Sequence, residues 1–331
     1  MRIVLDAMGS DRHPQPDVEG AVQAAREFGV DIVLVGQRAV VEEELAKHDV
    51  SGLSLSVVHA SEVLEMTDEP ARAAKHKKDS SMVVGMEMLK RREVDAFVSA
   101  GNSGGVLAVA LLNLGRIKGV KRPALSAVLP ARTGGCLVLD IGANADCKPL
   151  YLQQFAIMGS IYAEHVMGVT NPRVAIVSNG EEEGKGNALV KETYPLLKES
   201  GLNFVGNAEG KDIVSGMADV IVTDGFTGNV AVKLAEGVAG FMLQILEEEI
   251  RSRPLAAVGA LLAKPAFRQV KKRLDYREYG GAPLLGVDGT VFIGHGRSDA
   301  LAIKNAIRMA KQAVEEDTLN AMRDAISKSL A

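Results

Sequence analysis

The stretch AFVSAGNSGGVLAVALLNL, residues 96–114, contains the pattern that decides the fold. The predicted strand Ala96–Ser99, whose first three residues are apolar, leads into a glycine-rich loop, and an apolar helical pattern follows over Val106–Leu114. A short, continuous apolar run is typical of a strand that is buried on both faces, as in a parallel sheet. The stretch therefore predicts a strand, a loop and a helix in succession, with the loop at an edge of the sheet where ligands bind.

This strand–loop–helix unit recurs along the 331 residues of the chain. Alternation of short strands with helices is typical of a mostly parallel sheet that carries helices on both faces. The sequence therefore predicts an α/β protein with three layers, α/β/α. The other predicted strands are Ile3–Asp6, Ile32–Val35, Leu53–His59, Leu125–Leu129, Leu137–Ile141, Val174–Ser178, Asn203–Val205, Val220–Thr223 and Val291–Ile293. The other predicted helices are Pro16–Phe28, Ser80–Arg92, Tyr151–Val166, Ala188–Ser200 and Val230–Ile250.

Six loops that follow predicted strands are rich in glycine together with Asn, Asp or Ser. Glycine lets the backbone approach a ligand closely and adopt positive φ. Because right-handed crossovers would put these loops at one edge of the sheet, we expect a single ligand site there. The loops are 6–11, 99–105, 140–146, 178–186, 223–229 and 294–299. The residues that we expect to bind phosphate or substrate are Asp6, Gly9, Ser99, Gly101, Asn102, Ser103, Gly104, Asp140, Asn144, Asp224 and Gly225.

The composition argues against several classes of protein. A formal net charge of −4 argues against extensive nucleic-acid binding. The two cysteines, Cys136 and Cys147, form no CxxC pair, so the sequence predicts neither a structural zinc site nor a disulfide framework. We find no signal-peptide pattern and no apolar run long enough to span a bilayer. These features predict a cytoplasmic protein that does not cross a membrane.

The loop SAGNSGG, residues 99–105, is compatible with two different sites. A glycine loop that leads into a helix can bind an anion through its backbone N–H groups and the helix dipole. The loop is neither a Walker A motif nor a dinucleotide fingerprint, so no dinucleotide is indicated. It also matches G-x-S-x-G, the nucleophile elbow of serine hydrolases, with Ser103 followed along the chain by Asp224 and His295. A serine hydrolase is therefore an alternative, although no HGGG-type oxyanion segment is present.

The segment SNGEEEGKG, residues 178–186, also has two interpretations. Glu181–Glu183 could bind a divalent cation if carboxylates from other loops converged on them. Alternatively, Lys185, which lies between two glycines ahead of a helix, could neutralise a phosphate or a developing oxyanion. Asn229 lies near the start of a later helix, where its amide could donate to an anionic oxygen or cap the helix.

The segment 251–277 differs from the rest of the chain in charge. It carries a local charge of +7, whereas the whole chain carries −4. Its apolar residues, which include Leu261 and Leu262, lie mostly between Pro254 and Pro265. Such a segment can bind an anionic membrane surface or an acidic protein, and a helical hairpin in a dimer interface is the alternative. The basic residues are Arg251, Arg253, Lys264, Arg268, Lys271, Lys272, Arg273 and Arg277.

Six stretches together resemble the bacterial phosphate acyltransferase family called PlsX. The resemblance extends from the first strand to the C-terminal helix, and the stretches occur in the family's order. One position differs, because Ser10 stands where the family usually has glycine. The stretches are DAMGSD (6–11), SAGNSGG (99–105), LDIGANADCKP (139–149), SNGEEEGKGN (178–187), TDGFTGNVAVK (223–233) and GGAPLLGVDG (280–289).

The resemblance implies a reaction and a fold. The family transfers a long-chain fatty acyl group from acyl carrier protein to inorganic phosphate, without a redox cofactor, and the acyl phosphate feeds phospholipid synthesis. Its fold is similar to those of phosphotransacetylases and isocitrate dehydrogenase-like enzymes, with two lobes, a cleft and usually a homodimer. Lys185 and Asn229 fall on positions that the family treats as catalytically important. We expect residues 1–147 and 298–331 to form the first lobe and residues 148–297 the second, including the basic segment 251–277.

The resemblance also implies partners and a location. The partners would be acyl carrier protein, inorganic phosphate, a second copy of the chain and the downstream glycerol-3-phosphate acyltransferase. The protein would lie in the cytoplasm, peripherally associated with the inner face of the cytoplasmic membrane through the segment 251–277. We expect no metal and no other cofactor.

The chemistry of such a reaction fits the residues. Phosphate is already a competent nucleophile at neutral pH, so the protein mainly positions the reactants and stabilises charge. Lys185 and Asn229 would stabilise the oxyanion and the leaving thiolate, and we expect Glu181–Glu183 to orient or screen Lys185. Two alternatives remain open: a hydrolase or thioesterase built on Ser103, and a membrane-docked module that binds carrier protein without turnover.

Overall fold

A computed structural model describes residues 1–330, apart from the side chains of Lys271 and Tyr276. The predicted membrane contact of Lys271 and residue 331 of the predicted first lobe therefore lie outside the described residues. The strands are β1 (Arg2–Asp6), β2 (Asp31–Gly36), β3 (Leu55–His59), β4 (Ala96–Ser99), β5 (Ala124–Ala131), β6 (Gly134–Leu139), β7 (Val174–Val177), β8 (Phe204–Ala208), β9 (Val220–Val222), β10 (Ala282–Leu285) and β11 (Val291–Ile293). The helices are α1 (Gln15–Phe28), α2 (Arg38–Leu45), α3 (Pro70–His76), α4 (Ser81–Lys90), α5 (Ser103–Asn113), α6 (Pro149–His165), α7 (Ala188–Lys198), α8 (Gly225–Arg251), α9 (Pro254–Leu274), α10 (Tyr276–Tyr279), α11 (Ala300–Glu315) and α12 (Thr318–Ser329).

The strands form one sheet in the order β3-β2-β1-β4-β11-β10-β5-β6-β9-β7-β8. Both of its faces are covered by helices. In β1, Ile3 and Leu5 pack in a core with residues of α1 and α11, whereas Val4 packs on the other face with residues of α4 and α5. This alternation is expected of a strand with two buried faces. The predicted three-layer α/β/α architecture is confirmed, and the division into two lobes stays a prediction.

The two halves of the sheet run in opposite directions. Strands β1–β4 and β11 are parallel to one another, as are β6, β9, β7 and β8. Between them, β10 is antiparallel to both β11 and β5, and β5 is antiparallel to β6. The expectation that all six loops leave one edge in the same direction was wrong, because these three antiparallel pairings reverse the chain. We call 6–11, 99–105 and 294–299 the first loop set, and 140–146, 178–187 and 223–229 the second loop set.

The register nevertheless brings the carboxyl ends of the two halves to one level. Pro283 of β10 lies opposite Phe292, near the end of β11. Ser126 of β5 donates from Oγ to the Pro283 carbonyl oxygen at 3.0 Å and lies opposite Leu139, the last residue of β6. Strands β11 and β6 therefore end within about one residue rise of each other. The two loop sets start from the same level of the sheet and leave it in opposite directions.

Two helices begin earlier than the sequence analysis predicted. Helix α5 starts at Ser103 instead of Val106, and α8 starts at Gly225 instead of Val230. In both cases the first turn contains glycines, which the hydrophobic pattern does not register. The helix N-termini consequently lie directly at the ends of strands β4 and β9.

Helix α8 has the length and composition of a membrane span. Its 27 residues include a window with a mean hydropathy of 1.3 that is 6% buried. No such segment was expected from the sequence, because charged and glycine residues interrupt the apolar run of this helix. The first turns of α8 pack against the second loop set, so this end of the helix belongs to the α/β domain.

Candidate active site

Asp140 gives the loop after β6 its shape. Its side chain is fully buried, and Oδ1 accepts the N–H groups of Leu125, Gly142 and Ala143 at 2.9–3.2 Å. Its Oδ2 accepts the backbone and side-chain amides of Asn144 at 2.7 and 2.8 Å. Burial raises the pKa of Asp140, although these hydrogen bonds act in the opposite direction. Both oxygens of Asp140 are used within the protein, and the side-chain amide of Asn144 also donates to the carbonyl oxygen of Pro123. Asp140 and Asn144 therefore order the loop, and substrate binding by them stays a prediction.

The first turn of α8 packs directly on this loop. The N–H of Gly225 donates to the carbonyl oxygen of Asn144 at 2.8 Å. A Cβ added to Gly225 would lie 2.6 Å from that oxygen, and one added to Gly228 would collide with the carbonyl oxygen of Asp140. Glycine is therefore required at both positions for the close approach of two backbones. Gly225, predicted to bind substrate, serves this packing.

Asn229 and Asp224 lie at the start of the same helix. Asp224 caps α8, because its Oδ1 accepts the N–H of Thr227 and its Oδ2 accepts the hydroxyl of Thr227, both at 2.8 Å. The amide of Asn229 donates to the carbonyl oxygen of Ile141 at 3.0 Å. That bond uses one of the two amide N–H groups of Asn229 and leaves the second for a ligand.

Lys185 lies on the exposed loop that leads into α7. Its stem packs on Gly180, where an added Cβ would lie 2.8 Å from Cγ of Lys185. Its backbone N–H donates to the carbonyl oxygen of Glu182 at 3.0 Å. Its ammonium has no hydrogen bond or ion pair among the described residues. A lysine whose backbone and stem are held while its charge is unpaired is suited to an anionic ligand.

The neighbouring glutamates mostly pair with other lysines. Glu181 pairs with Lys211 at 3.2 Å, and Glu183 pairs with Lys198 of α7 at 3.4 Å. The expectation that Glu181–Glu183 orient or screen Lys185 was therefore wrong for Glu181 and Glu183. The sequence could not show the pairing of Glu181 with Lys211, because Lys211 lies 30 residues further along the chain.

One acidic cluster has the spacing of a metal site. Ligand atoms of Glu181, Glu209 and Asp212 lie within 4.8 Å of one another. The ammonium of Lys211 lies among them, 2.5 Å from Glu209 and 3.2 Å from Glu181. Because the lysine already supplies the positive charge, the cluster is explained as a surface ion-pair network.

A cavity of about 510 Å³ lies between the Lys185 loop and the start of α8. Asn187 caps α7 and Asp224 caps α8, and both residues line this cavity, so two helix N-termini lie at it. Ser178 also lines it, and its hydroxyl is buried without a hydrogen-bond partner in the described part of the chain. The volume is typical of small-molecule sites. The other lining residues are Leu152, Ile176, Val177, Asn179, Gly186, Leu189, Val190, Thr223 and Thr227.

Asp6 organises the first loop set as Asp140 organises the second. Asp6 is 1% exposed, and its carboxylate accepts the hydroxyl of Ser99 at 2.7 Å and the N–H of Met8 at 3.1 Å. Ser99 in turn accepts the N–H of Gly101 at 3.0 Å. Burial raises the pKa of Asp6. A Cβ added to Gly9 would lie 2.8 Å from the nitrogen of Gly101, so loops 6–11 and 99–105 pack directly on each other.

The N-terminus of α5 is capped and partly covered. Asn102 Oδ1 accepts the N–H of Gly105 at 3.0 Å, and its amide donates to the carbonyl oxygen of Met66 at 3.1 Å. A Cβ added to Gly104 would lie 2.8 Å from Cγ of Pro70. Residues 66–70 therefore lie over part of the loop 99–105. Phosphate binding by this loop stays a prediction.

No nucleophile of a hydrolase is assembled among the described residues. Ser103 is exposed at the first position of α5, its φ is not positive, and it lacks the strained turn of a nucleophile elbow. Asp224 lies in the second loop set and accepts from Thr227. Burial raises the pKa of the Cys147 thiol to about 12, so this thiol is not ionised at neutral pH.

Asp17, in the first turn of α1, was missed by the sequence analysis. It is fully buried, and Oδ2 accepts the hydroxyl of Ser10 at 2.5 Å. Its Oδ1 has no partner among the described residues. Burial raises the pKa of Asp17 well above its usual range, and the nearby charge of Asp6 acts in the same direction. The Ser10–Asp17 hydrogen bond ties loop 6–11 to α1.

Replacing Asp17 with asparagine is expected to flatten the pH dependence of stability. Folding raises the pKa of Asp17, so the protonated carboxyl stabilises the folded state. This contribution to the free energy of unfolding is complete below the pKa of the unfolded chain, near 3.8, and is lost as the pH rises through the pKa of the folded protein. The free energy of unfolding in urea should therefore fall more between about pH 5 and pH 8 for the unsubstituted protein than for Asp17→Asn. Asp31→Asn, at an exposed residue, is the control. Equal slopes for all three proteins would contradict the prediction.

Helix α8 connects the two loop sets. It begins at Gly225 in the second set, and Glu236 pairs with Arg297 of the first set at 3.3 Å. With a rise of 1.5 Å per residue, about 17 Å of helix separates these positions. Burial, with the adjacent charge of Arg297, lowers the pKa of His295 in the same region. The two loop sets therefore lie at opposite ends of the first half of α8.

Ion pairs neutralise part of the basic segment 251–277. Arg251 pairs with Glu247 at 2.5 Å, and Arg253 pairs with Glu249 at 2.8 Å, both acids belonging to α8. The charge available to a partner is smaller than the sequence suggested, because these acids lie just outside the segment. The other paired residues are Lys272 and Arg277. The basic residues without an ion pair in the described part of the segment are Lys264, Arg268 and Arg273.

Comparison with known proteins extends over almost the whole chain. The family described as "Fatty acid synthesis protein" matches residues 1–321. A phosphate acyltransferase from Dictyoglomus turgidum is 51% identical over 330 residues, which are 99% of this chain and 98% of that protein. A phosphate acyltransferase from Geotalea daltonii is 53% identical over 312 residues, which are 94% of this chain and 90% of that protein.

Solved structures support the fold. A EutD phosphotransacetylase from Staphylococcus aureus has a TM-score of 0.60 and 16% identity, and covers 95% of this chain and 94% of its own. A phosphotransacetylase from Streptococcus pyogenes has a TM-score of 0.61 with the same identity and coverage. At this level of identity the likeness shows a shared fold, and it confirms the predicted similarity to phosphotransacetylases.

Proposed function

This chain belongs to the PlsX family of phosphate acyltransferases, and we propose that it transfers a long-chain fatty acyl group from acyl carrier protein to inorganic phosphate. Family membership makes the protein an acyltransferase. The carrier-protein donor and the acyl phosphate product, which would feed phospholipid synthesis, are the finer part of the proposal.

The observation that carries the proposal is Lys185, whose ammonium is unpaired among the described residues and whose loop contributes to the lining of the 510 Å³ cavity. Lys185 directly precedes Gly186 and Asn187, two of the lining residues. The N-terminus of α7, which the neutral side chain of Asn187 caps, adds positive potential at this cavity, whereas the carboxylate of Asp224 occupies the N-terminus of α8. Phosphate and a tetrahedral oxyanion both carry the negative charge that such a site stabilises.

The reaction balances without a covalent enzyme intermediate. The phosphate dianion attacks the thioester carbonyl carbon, the C–S bond breaks, and the proton of the phosphate moves to the leaving thiolate. Lys185 offsets the charge of the phosphate and the oxyanion, and the second amide N–H of Asn229 donates to the oxyanion. Holding both reactants in one site supplies the entropic part of the rate enhancement.

The proposal is tested by thiol release from palmitoyl carrier protein with and without inorganic phosphate. We expect release to depend on phosphate and the product to be trapped by hydroxylamine as a hydroxamate. Thiol release that does not depend on phosphate would indicate hydrolysis, with Ser103 as the candidate nucleophile. Absence of release would favour a module that binds carrier protein without turnover.

The first half of α9 is the proposed contact with an anionic membrane. Leu255 is 89% exposed and Leu262 is 84% exposed, which is unusual for leucine in a folded domain. Lys264 and Arg268 follow on the same helix without ion pairs in the described structure. An apolar helical surface next to basic residues is typical of peripheral attachment to anionic lipid. The same basic residues are suited to an acidic carrier protein.

Replacing Leu261 and Leu262 together with glutamate is expected to release the protein from anionic vesicles. Each apolar side chain would otherwise enter the interface, and two carboxylates would be repelled by the lipid charge. Vesicle flotation should show at least about a tenfold loss of binding, while turnover of soluble palmitoyl carrier protein should be retained. Leu112→Glu, on an exposed leucine of α5, is the matched control. Unchanged binding of the double variant would remove α9 from the membrane contact.

Helix α8 carries the proposed contact with a second copy of the chain. Its exposed apolar residues recur every three or four positions, so they form one stripe along the helix. They are each 51–66% exposed, and they are Phe226, Val230, Leu234, Val238 and Phe241. A homodimer would cover this stripe. A membrane-attached dimer would deliver its product at the bilayer, where a glycerol-3-phosphate acyltransferase would use it.

A further inference from the structure

Five aliphatic residues form part of the lining of the cavity next to the Lys185 loop. Leu152 is 1% exposed, Ile176 is fully buried and Val190 is 7% exposed, and these three residues belong to the main hydrophobic core. Val177 and Leu189 complete the aliphatic wall. Water in contact with such a wall has no hydrogen-bonding partner there, so the wall favours an apolar occupant.

The polar lining comes from the segments around the catalytic groups. Asn179 and Asn187 belong to the Lys185 loop, and Asp224 and Thr227 belong to the first turn of α8. Ser178 stands at the junction, because it directly follows the apolar strand β7. Its buried hydroxyl lacks a partner in the described structure, and the carbonyl oxygen of a bound thioester would supply an acceptor. A molecule that is polar at one end and aliphatic beyond it matches this arrangement.

We propose that this cavity binds the part of the fatty acyl chain next to the thioester, and that Leu189 limits the chain length that fits. The inference rests on the proposed function, since it assigns a place to the acyl group of that reaction. It goes beyond that function by naming the acyl subsite and its specificity-determining residue. The thioester carbonyl then lies at the Ser178 end, toward Lys185 and the start of α8.

Leu189 is the wall residue that we select for substitution, because it is not part of the fully buried core. It is the second residue of α7 and is only partly buried, so its size can change with little effect on the core. The contact between Gly186 and Val190 is less adaptable. Gly186 has a φ of +102°, and a Cβ there would lie 2.5 Å from Cγ1 of Val190 and 3.3 Å from Oγ of Ser178.

The test is the chain-length profile of Leu189→Trp and Leu189→Ala. The assay is phosphate-dependent thiol release from carrier protein loaded with acyl chains of about 8, 12, 16 and 18 carbons. Each methylene that enters an apolar site contributes about a fourfold gain in kcat/KM. We expect Leu189→Trp to lower kcat/KM for the 16-carbon chain by at least about tenfold, and for the 8-carbon chain by less than about threefold.

The smaller variant makes the test independent of whether tryptophan is tolerated. Leu189→Ala should raise the activity ratio of 18-carbon to 12-carbon chains, because it enlarges the cavity. Leu112→Trp, on exposed α5, should keep the unsubstituted profile. An equal loss for every chain length, as expected if the cavity holds the carrier protein's prosthetic arm, would overturn the inference. So would an unchanged profile in both variants.

Failure of the inference and failure of the proposed function give different results. If the unsubstituted protein shows no phosphate-dependent release with any chain, the proposed function fails and this inference fails with it. If the unsubstituted protein is active and the profiles of the Leu189 variants match its own, only the acyl subsite is refuted.

Discussion

Replacing Lys185 with methionine is expected to lower kcat for phosphate-dependent acyl transfer by about 10²–10³-fold. Methionine keeps the length and the aliphatic stem that packs on Gly180 but removes the ammonium. Because the ammonium has no partner in the described structure, its loss leaves no buried charge behind and should not affect folding. The effect should therefore appear in turnover, with the Tm unchanged.

Two further variants show whether the charge is the cause. Lys191→Met removes an exposed lysine from the same helix region and should change kcat less than about twofold, since it lies away from the cavity lining. Lys185→Arg restores the positive charge in a different shape and should recover part of the activity. A Lys185→Met enzyme with near-normal kcat would show that charge stabilisation at this site comes from the N-terminus of α7 alone.

The hydrophobic pattern of the sequence predicted the fold class because strand burial and strand sequence are directly linked. Strands β1, β4 and β11 are short apolar runs, and each was predicted to within one residue of its bounds. Strand β10 was missed. Its residues Ala282–Leu285 contain Pro283, which argues against a central strand.

Missing β10 also led to the wrong directions for half of the loops. Sequence periodicity reports which residues are buried, but it carries no information about whether neighbouring strands run parallel or antiparallel. The reversal depends on the pairings of β10 with β11 and β5, which join segments more than 150 residues apart in the case of β5. Only the structure could supply them.

The glycine-rich loops lie at the strand ends that the sequence predicted, but the sequence did not show which of their carboxylates are buried. Asp6 ends β1, Asp140 directly follows β6, and a glycine stands two or three residues after each, a pattern shared by ligand-binding and loop-ordering carboxylates alike. Their burial decides between the two, and burial of a polar residue cannot be read from its own sequence context. Asp17 was missed for the same reason, since it lies outside every motif, and Ser178 was passed over although it begins the loop 178–186.

Replacing Gly228 with alanine is expected to destabilise the protein and to abolish most of its activity. The new Cβ would collide with the carbonyl oxygen of Asp140, a backbone atom in a loop that is fixed by five hydrogen bonds. Neither partner can move as a flexible side chain would, so the start of α8 must shift. Such overpacking costs about 1–3 kcal/mol, and urea denaturation should show a loss of that size or larger.

Gly240→Ala separates this collision from the general effect of alanine in a helix. Gly240 lies in the same helix, and an added Cβ there meets no atom within 4 Å. Alanine should raise stability at that position by about 0.5–1 kcal/mol, because it lowers the entropy of the unfolded chain and favours helix. The two substitutions are chemically identical, so opposite signs of the change in the free energy of unfolding would isolate the contact with Asp140.

Because Asp224 and Asn229 lie in the same turn as Gly228, the displacement of α8 in Gly228→Ala should also lower kcat under conditions where the variant is still folded. A Gly228→Ala protein with unchanged stability and activity would mean that loop 140–146 yields to α8, and that Asp140 does not hold it in place.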